Sequence, residues 1–160
     1  MNNLNIEIYT DGSCHTQLKI GAWATIILID NQKIILKDKE LETTHNRMEL
    51  LAVINSIKHV LKNYPDFNLL KIYSDSQYVV NLNNRKEKLL TNKFITKKGK
   101  ELNNADLLAE LIKFMKMPNI EFVKVKAHQK QTEIENINIE VDKIVRQIVR
   151  DAVNEFNSKQ

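Results

Sequence analysis

Between residues 4 and 10 apolar and polar side chains alternate, with Leu4, Ile6 and Ile8 on one side, which is the period of a strand with one buried face. Residues 21–29 form a longer apolar run, Asp30 and Asn31 make a turn, and 33–36 is apolar again, so the three segments predict an antiparallel meander. Thr43 and Thr44 are candidate helix N-caps. From Met48 onward Leu50, Val53, Ile54, Ile57 and Leu61 recur at helical spacing, and Tyr64-Pro65 stops the pattern. Residues 69–74 predict a fourth strand, which runs parallel to an earlier one because a helix intervenes. A short helix is expected over 76–82 and a clearer one over 106–115, where Leu107, Leu108, Leu111, Ile112 and Met115 share a side. Residues 120–125 alternate as a fifth strand, and a polar stretch, 126–138, leads to a last helix that turns Val141, Ile144, Val145, Ile148, Val149 and Ala152 inward. The expected fold class is α/β: a five-stranded mixed sheet, three antiparallel strands then two parallel, flanked by helices in one domain over residues 1–160.

Two of the strands finish alike. Tyr9-Thr10-Asp11-Gly12-Ser13 and Tyr73-Ser74-Asp75-Ser76-Gln77 each place an aspartate at the end of an alternating run. Asp-Gly is also a hairpin signal and aspartate a frequent helix cap, so Asp11 alone is open to a structural reading. If both segments are neighbouring parallel strands, about 4.8 Å apart, the carboxylates are close enough to share a divalent cation. Glu49, beside the apolar stripe of the first long helix, and Asp142, expected just inside the last helix, lie where they could join them. Each is equally explained by the preference for acids in first helical turns. Converging acids repel one another without a cation, and an all-oxygen set points to hard ions, Mg²⁺ or Mn²⁺. Two such ions suit phosphodiester cleavage.

Composition narrows the classes without choosing among them. At 160 residues, 42% hydrophobic and 28% charged, the chain is of ordinary globular make-up. No apolar run approaches a membrane span, so no membrane association is expected, and no basic-then-apolar leader precedes the first strand. Cys14 is the only cysteine, which excludes an internal disulfide and suits a reducing, cytoplasmic setting. A net charge of +4 permits a polyanionic partner. No Gly-rich phosphate loop is present, which disfavours nucleotide hydrolysis of that type.

Tyr9-Thr10-Asp11-Gly12-Ser13-Cys14, Asn46-Arg47-Met48-Glu49-Leu50, Ser74-Asp75-Ser76-Gln77-Tyr78, Val125-Lys126-Ala127-His128, and Asn138 with Asp142 resemble, in this order and spacing, ribonuclease H of type 1. The resemblance implies the ribonuclease H-like fold and cleavage of the RNA strand of RNA–DNA hybrids with two Mg²⁺ ions, Mn²⁺ being a possible substitute, leaving 5′-phosphate and 3′-hydroxyl ends. It implies that Asp11, Glu49, Asp75 and Asp142 hold metal and that His128 moves a proton or helps release product. Cys14, Gln17, His45, Asn46 and Gln77 fall where the family reads the hybrid's minor groove, including the 2′-hydroxyls that distinguish RNA. Thr44 and Asn104 fall at its pocket for a DNA-strand phosphate. The basic stretch, within a protrusion at about 83–104, includes Lys86, Lys88, Lys93, Lys97 and Lys98 beside Phe94, and it lies where bacterial members grip the duplex through phosphates.

The chain departs from the family pattern in places. The Gly-rich turn after the first aspartate reads His15-Thr16-Gln17-Leu18-Lys19-Ile20, a Gly before the loop histidine is Ala127, the loop after His128 is longer, and the protrusion lacks its first Trp. The expected protein is a free-standing, monomeric enzyme. Its rivals are a related nuclease acting on DNA junctions or ends, a non-catalytic hybrid-binding module, and a retroelement fragment.

Overall fold

A computed structural model describes residues 4–125 and 133–160. The sheet is built from β1 (Asn5–His15), β2 (Ile20–Ile29), β3 (Gln32–Glu40), β4 (Leu69–Ser74) and β5 (Ile120–Lys124), in the spatial order β3-β2-β1-β4-β5. β1 to β3 pair antiparallel, while β4 joins β1 in parallel and β5 joins β4 in parallel. This is the expected mixed sheet.

The helices are α1 (His45–Asn63), α2 (Gln77–Thr91), α3 (Ala105–Met115) and α4 (Glu133–Ser158). Alternation in β1 sends Ile6 and Ile8 into a core shared with Leu50, Ile54 and Ile57 of α1 and with Leu108 and Leu111 of α3. Tyr9 goes the other way, to a second core closed by Val141 and Val145 of α4. β2 is buried along almost its whole length because helices cover both its faces, and its unbroken apolar run follows from that. β3 is an edge strand, with Ile34 and Leu36 half-buried between lysines that blunt its free side. α1 starts where the Thr44 side chain accepts the Arg47 N–H at 3.2 Å, and it ends at Tyr64 before the proline.

Three boundaries differ from expectation. β1 does not stop at the aspartate but runs on to His15, held by β2 alone after its pairing with β4 ends at Tyr9. Asp11 therefore sits where two strands part, and Asp75 directly after β4, so only the second is truly at a strand end. α2 is twice the expected extent, because residues 83–91, polar except for Leu89 and Leu90, are good helix formers whose charges stay in solvent while Leu89 is buried. α4 starts at Glu133, which puts Asp142 in its third turn and removes the first-turn explanation for that acid.

Candidate metal and nucleic-acid site

The approach of α1 to β1 makes the site possible. A Cβ on Gly12 would lie 2.5 Å from both the Glu49 nitrogen and the Met48 carbonyl carbon, so only glycine lets the helix come this close. Glu49 is thereby delivered beside Asp11 from a different element, and Asp75 arrives from the end of β4. One carboxylate oxygen from each of Asp11, Glu49 and Asp75 lies within 4.8 Å of the other two. Asp142 lines the same cavity, of about 470 Å³, together with Ser13, His45, Asn46, Gln77, Tyr78 and Arg146. The side chain of Asp142 is held by Arg146, whose Nε lies 3.0 Å from Oδ2.

The electrostatics suit a bound cation. Burial, then the charge of Glu49 and the neighbouring Asp142 and Asp75, push the Asp11 carboxyl up to about 9. Burial raises Glu49 as well, offset in part by His45, whose Nε2 lies 3.2 Å from Oε1. The same contact raises His45. Glu49 is only 3% exposed, and its second oxygen, Oε2, is buried with no hydrogen-bond partner among the described residues. An orphaned buried carboxylate oxygen facing two further carboxylates is costly unless a positive ion completes it. The donors are all oxygen, the set that suits hard divalent ions.

The other expected residues divide into groups. His45, Asn46 and Gln77 line the carboxylate cavity, and the Gln77 amide oxygen accepts from Lys124. Cys14 stands back from it, half-buried with its thiol against the Thr43 carbonyl at 3.4 Å, and Gln17 is exposed on the turn between β1 and β2. Thr44 and Asn104 do meet, in a second hollow of about 470 Å³ that shares Asn46 and Tyr78 with the first. Lys97 and Lys98 line a third hollow beyond it with Thr96, Lys100 and Asn103. Lys86, Lys88 and Lys93 line none of these. Phe94 is half-buried against the main core, which anchors the small loop closed by the Ile95–Glu101 bridge. His128 lies outside the described residues.

Sequence reasoning gave Arg47 and Arg146 no role. Arg47 bridges Asn104, at 3.3 Å, and Asp106, at 3.0 Å, and so sets one wall of the second hollow. Its place inside the Asn46–Glu49 motif was the available signal. For Arg146 the signal was its spacing of four from Asp142, the helical ion-pair distance.

Comparison with known proteins agrees with this geometry. The sequence pattern of the family described as RNase H matches residues 3–150. Ribonuclease H of Caldicellulosiruptor saccharolyticus is 35% identical over 148 residues, covering 91% of this chain and 97% of that protein. Ribonuclease H of Wolbachia pipientis is 35% identical over 153 residues, covering 95% of this chain and all of the relative (100%). Among solved structures, LC9-RNase H1, a type 1 RNase H with the type 2 active-site motif, superposes with a TM-score of 0.77 at 17% identity, covering 94% of this chain and 74% of that one. LC11-RNase H1 in complex with RNA/DNA hybrid does so at 0.66 and 19% identity, covering 92% and 99%. By the family match and by relatives spanned nearly end to end, the chain belongs to the RNase H family.

Proposed function

We propose that the protein is an endonuclease that hydrolyses the RNA strand of RNA–DNA hybrids, leaving 5′-phosphate and 3′-hydroxyl ends, with Mg²⁺ as the working ion. The observation that carries the reading is the meeting of Asp11, Glu49 and Asp75 within 4.8 Å, with an unpartnered Glu49 oxygen among them. Asp11, Glu49, Asp75 and Asp142 would hold the divalent ions. Bound there, such ions supply Lewis-acid activation of water and charge stabilisation at the phosphate and the leaving oxygen. Asp142 shares its carboxylate with Arg146, and His45 keeps one Glu49 oxygen oriented. His128 moves a proton or helps release product.

The hybrid lies across the carboxylate cavity and the hollow beside it. His45, Asn46 and Gln77 meet the minor groove at the cut, assisted by Cys14 and Gln17 on the rim. Thr44 and Asn104 hold a phosphate of the DNA strand near the start of α1, where the helix end favours an anion. Lys86, Lys88, Lys93, Lys97 and Lys98, with Phe94, grip the duplex farther along. The enzyme works as a monomer in a reducing compartment, which suits its single thiol.

The test is cleavage of an end-labelled RNA–DNA hybrid beside duplex DNA and duplex RNA of the same sequence, with and without Mg²⁺. Cutting confined to the RNA of the hybrid, dependent on the ion and lost in Asp75→Asn, is the expected result. Equal cutting of duplex DNA, or hybrid binding without any product, replaces this reading with a DNA nuclease or a binding module.

A further inference from the structure

Beside the carboxylate cavity, on the wall away from Thr44, a hollow of about 290 Å³ runs along α4. Ser13 and Arg146 line both spaces, so one opens into the other, whereas the Thr44 hollow joins the cavity through Asn46 and Tyr78. Its floor includes Val149 and Val153, its rim His15, Arg146 and Arg150, and no carboxylate lines it. Arg150 meets only the Gln147 amide oxygen, at 3.4 Å, and no carboxylate in ion-pair range among the described residues. His15 accepts the Leu18 N–H on Nδ1 at 3.1 Å, so the neutral ring carries its proton on Nε2 as a donor. Asp142, Arg146 and Arg150 are spaced by four along one helix, about 6 Å apart each at a rise of about 1.5 Å per residue.

We infer that this trough seats the phosphodiester backbone of the RNA strand next to the scissile phosphate, with Arg150 and His15 on a phosphate and the two valines under a ribose. The inference rests on the hybrid-cleaving reading. A strand whose phosphate sits on the acids must leave the cavity along a wall, and this wall carries Arg150, a cation with no carboxylate partner among the described residues. The other wall leads to the Thr44 hollow and so to the opposite strand.

The experiment is a titration of labelled RNA–DNA hybrid by fluorescence anisotropy, with chelator present so that nothing is cut, over a series of salt concentrations. Arg150→Gln is expected to flatten the plot of log Kd against log salt by about 0.9, and to weaken binding about eightfold at about 0.1 M salt, as one lost phosphate contact requires. His15→Ala weakens binding less, Arg150→Lys restores most of it, and Lys113→Gln, an exposed charge far from the trough, changes neither quantity. A hybrid with one neutral methylphosphonate in the RNA strand near the cut weakens wild-type binding but not that of Arg150→Gln. Equal affinity and slope for Arg150→Gln and wild type, or a defect indifferent to every RNA phosphate, overturns the trough alone. A wild-type chain that neither holds nor cuts hybrid overturns the function and the trough together.

Discussion

Glu49 has one oxygen committed to His45 and the other, buried, to no partner among the described residues. A bound cation would neutralise such a carboxylate; without one, a proton on the neighbouring Asp11 relieves the repulsion. In the folded protein Asp11 keeps its proton up to about pH 9, whereas an aspartate in the unfolded chain releases it near about 3.9. Between these values the native state holds a proton that the unfolded state lacks, so the contribution of Asp11 to metal-free stability is fully present below about 4 and is lost as pH rises. Melting in chelator is expected to drop steadily from about pH 5 to about pH 8, and Asp11→Asn to flatten the decline. A wild-type slope unchanged by that substitution refutes the account. For catalysis, Asp75→Asn is expected to slow single-turnover cleavage by more than about 10²-fold, beyond the effect of a typical outer-shell partner, while hybrid affinity survives.

At the scale of elements, the site depends on how closely α1 can press on β1. Gly12→Ala forces a methyl group to within 2.5 Å of the α1 backbone, which cannot yield as a side chain would. The expected cost is about 2–3 kcal/mol in urea unfolding, at the upper end for overpacking, with loss of cleavage even at temperatures where the protein stays folded. Thr44→Ala removes the N-cap of α1 and costs about 1 kcal/mol by the same measurement. These elements were legible in the sequence to very different degrees. α1 was plain because a cap, an apolar stripe and a terminating proline agreed. β1 was misread at its end because Asp11-Gly12 looks like a turn, whereas Gly12 is there to admit a helix, a tertiary demand that no local pattern expresses. α4 began earlier than its apolar stripe, since its first turn mixes the exposed Glu133, Ile134 and Asn136 and carries little periodic signal. The carboxylates were legible because strand topology alone brings Asp11 and Asp75 together. The pairing of Arg47 with Asn104 was not, because it joins the first turn of α1 to the residue before α3, and their approach is set by the packing of α1 on α3.

For the whole molecule, the proposed cation uptake by three acids from β1, α1 and the end of β4 would be a cross-link between distant parts of the fold. A divalent ion at about 100 times its Kd stabilises such a protein by about 2.7 kcal/mol, and calorimetry without any nucleic acid checks this as a rise in Tm that Asp75→Asn abolishes. The charge pattern has a consequence at this scale too. Net charge is only +4, but Lys97, Lys98 and Lys100 crowd one loop while the acids gather elsewhere. Hybrid affinity is therefore expected to fall steeply with salt, and Lys97→Gln with Lys98→Gln to reduce the slope by about 1.8 if each meets a phosphate. An unchanged slope places the grip elsewhere.

Tyr9 and Tyr73 lie face to face directly beneath the acids, with ring centroids 4.7 Å apart and planes within 9°. Each is two residues from a carboxylate of the proposed metal site, Tyr9 on β1 and Tyr73 on β4. Coupled aromatic rings so placed give the protein an intrinsic near-ultraviolet chiroptical signal, sensitive to any change in how the strands splay. Ion occupancy can thus be followed on the unlabelled chain, by light alone.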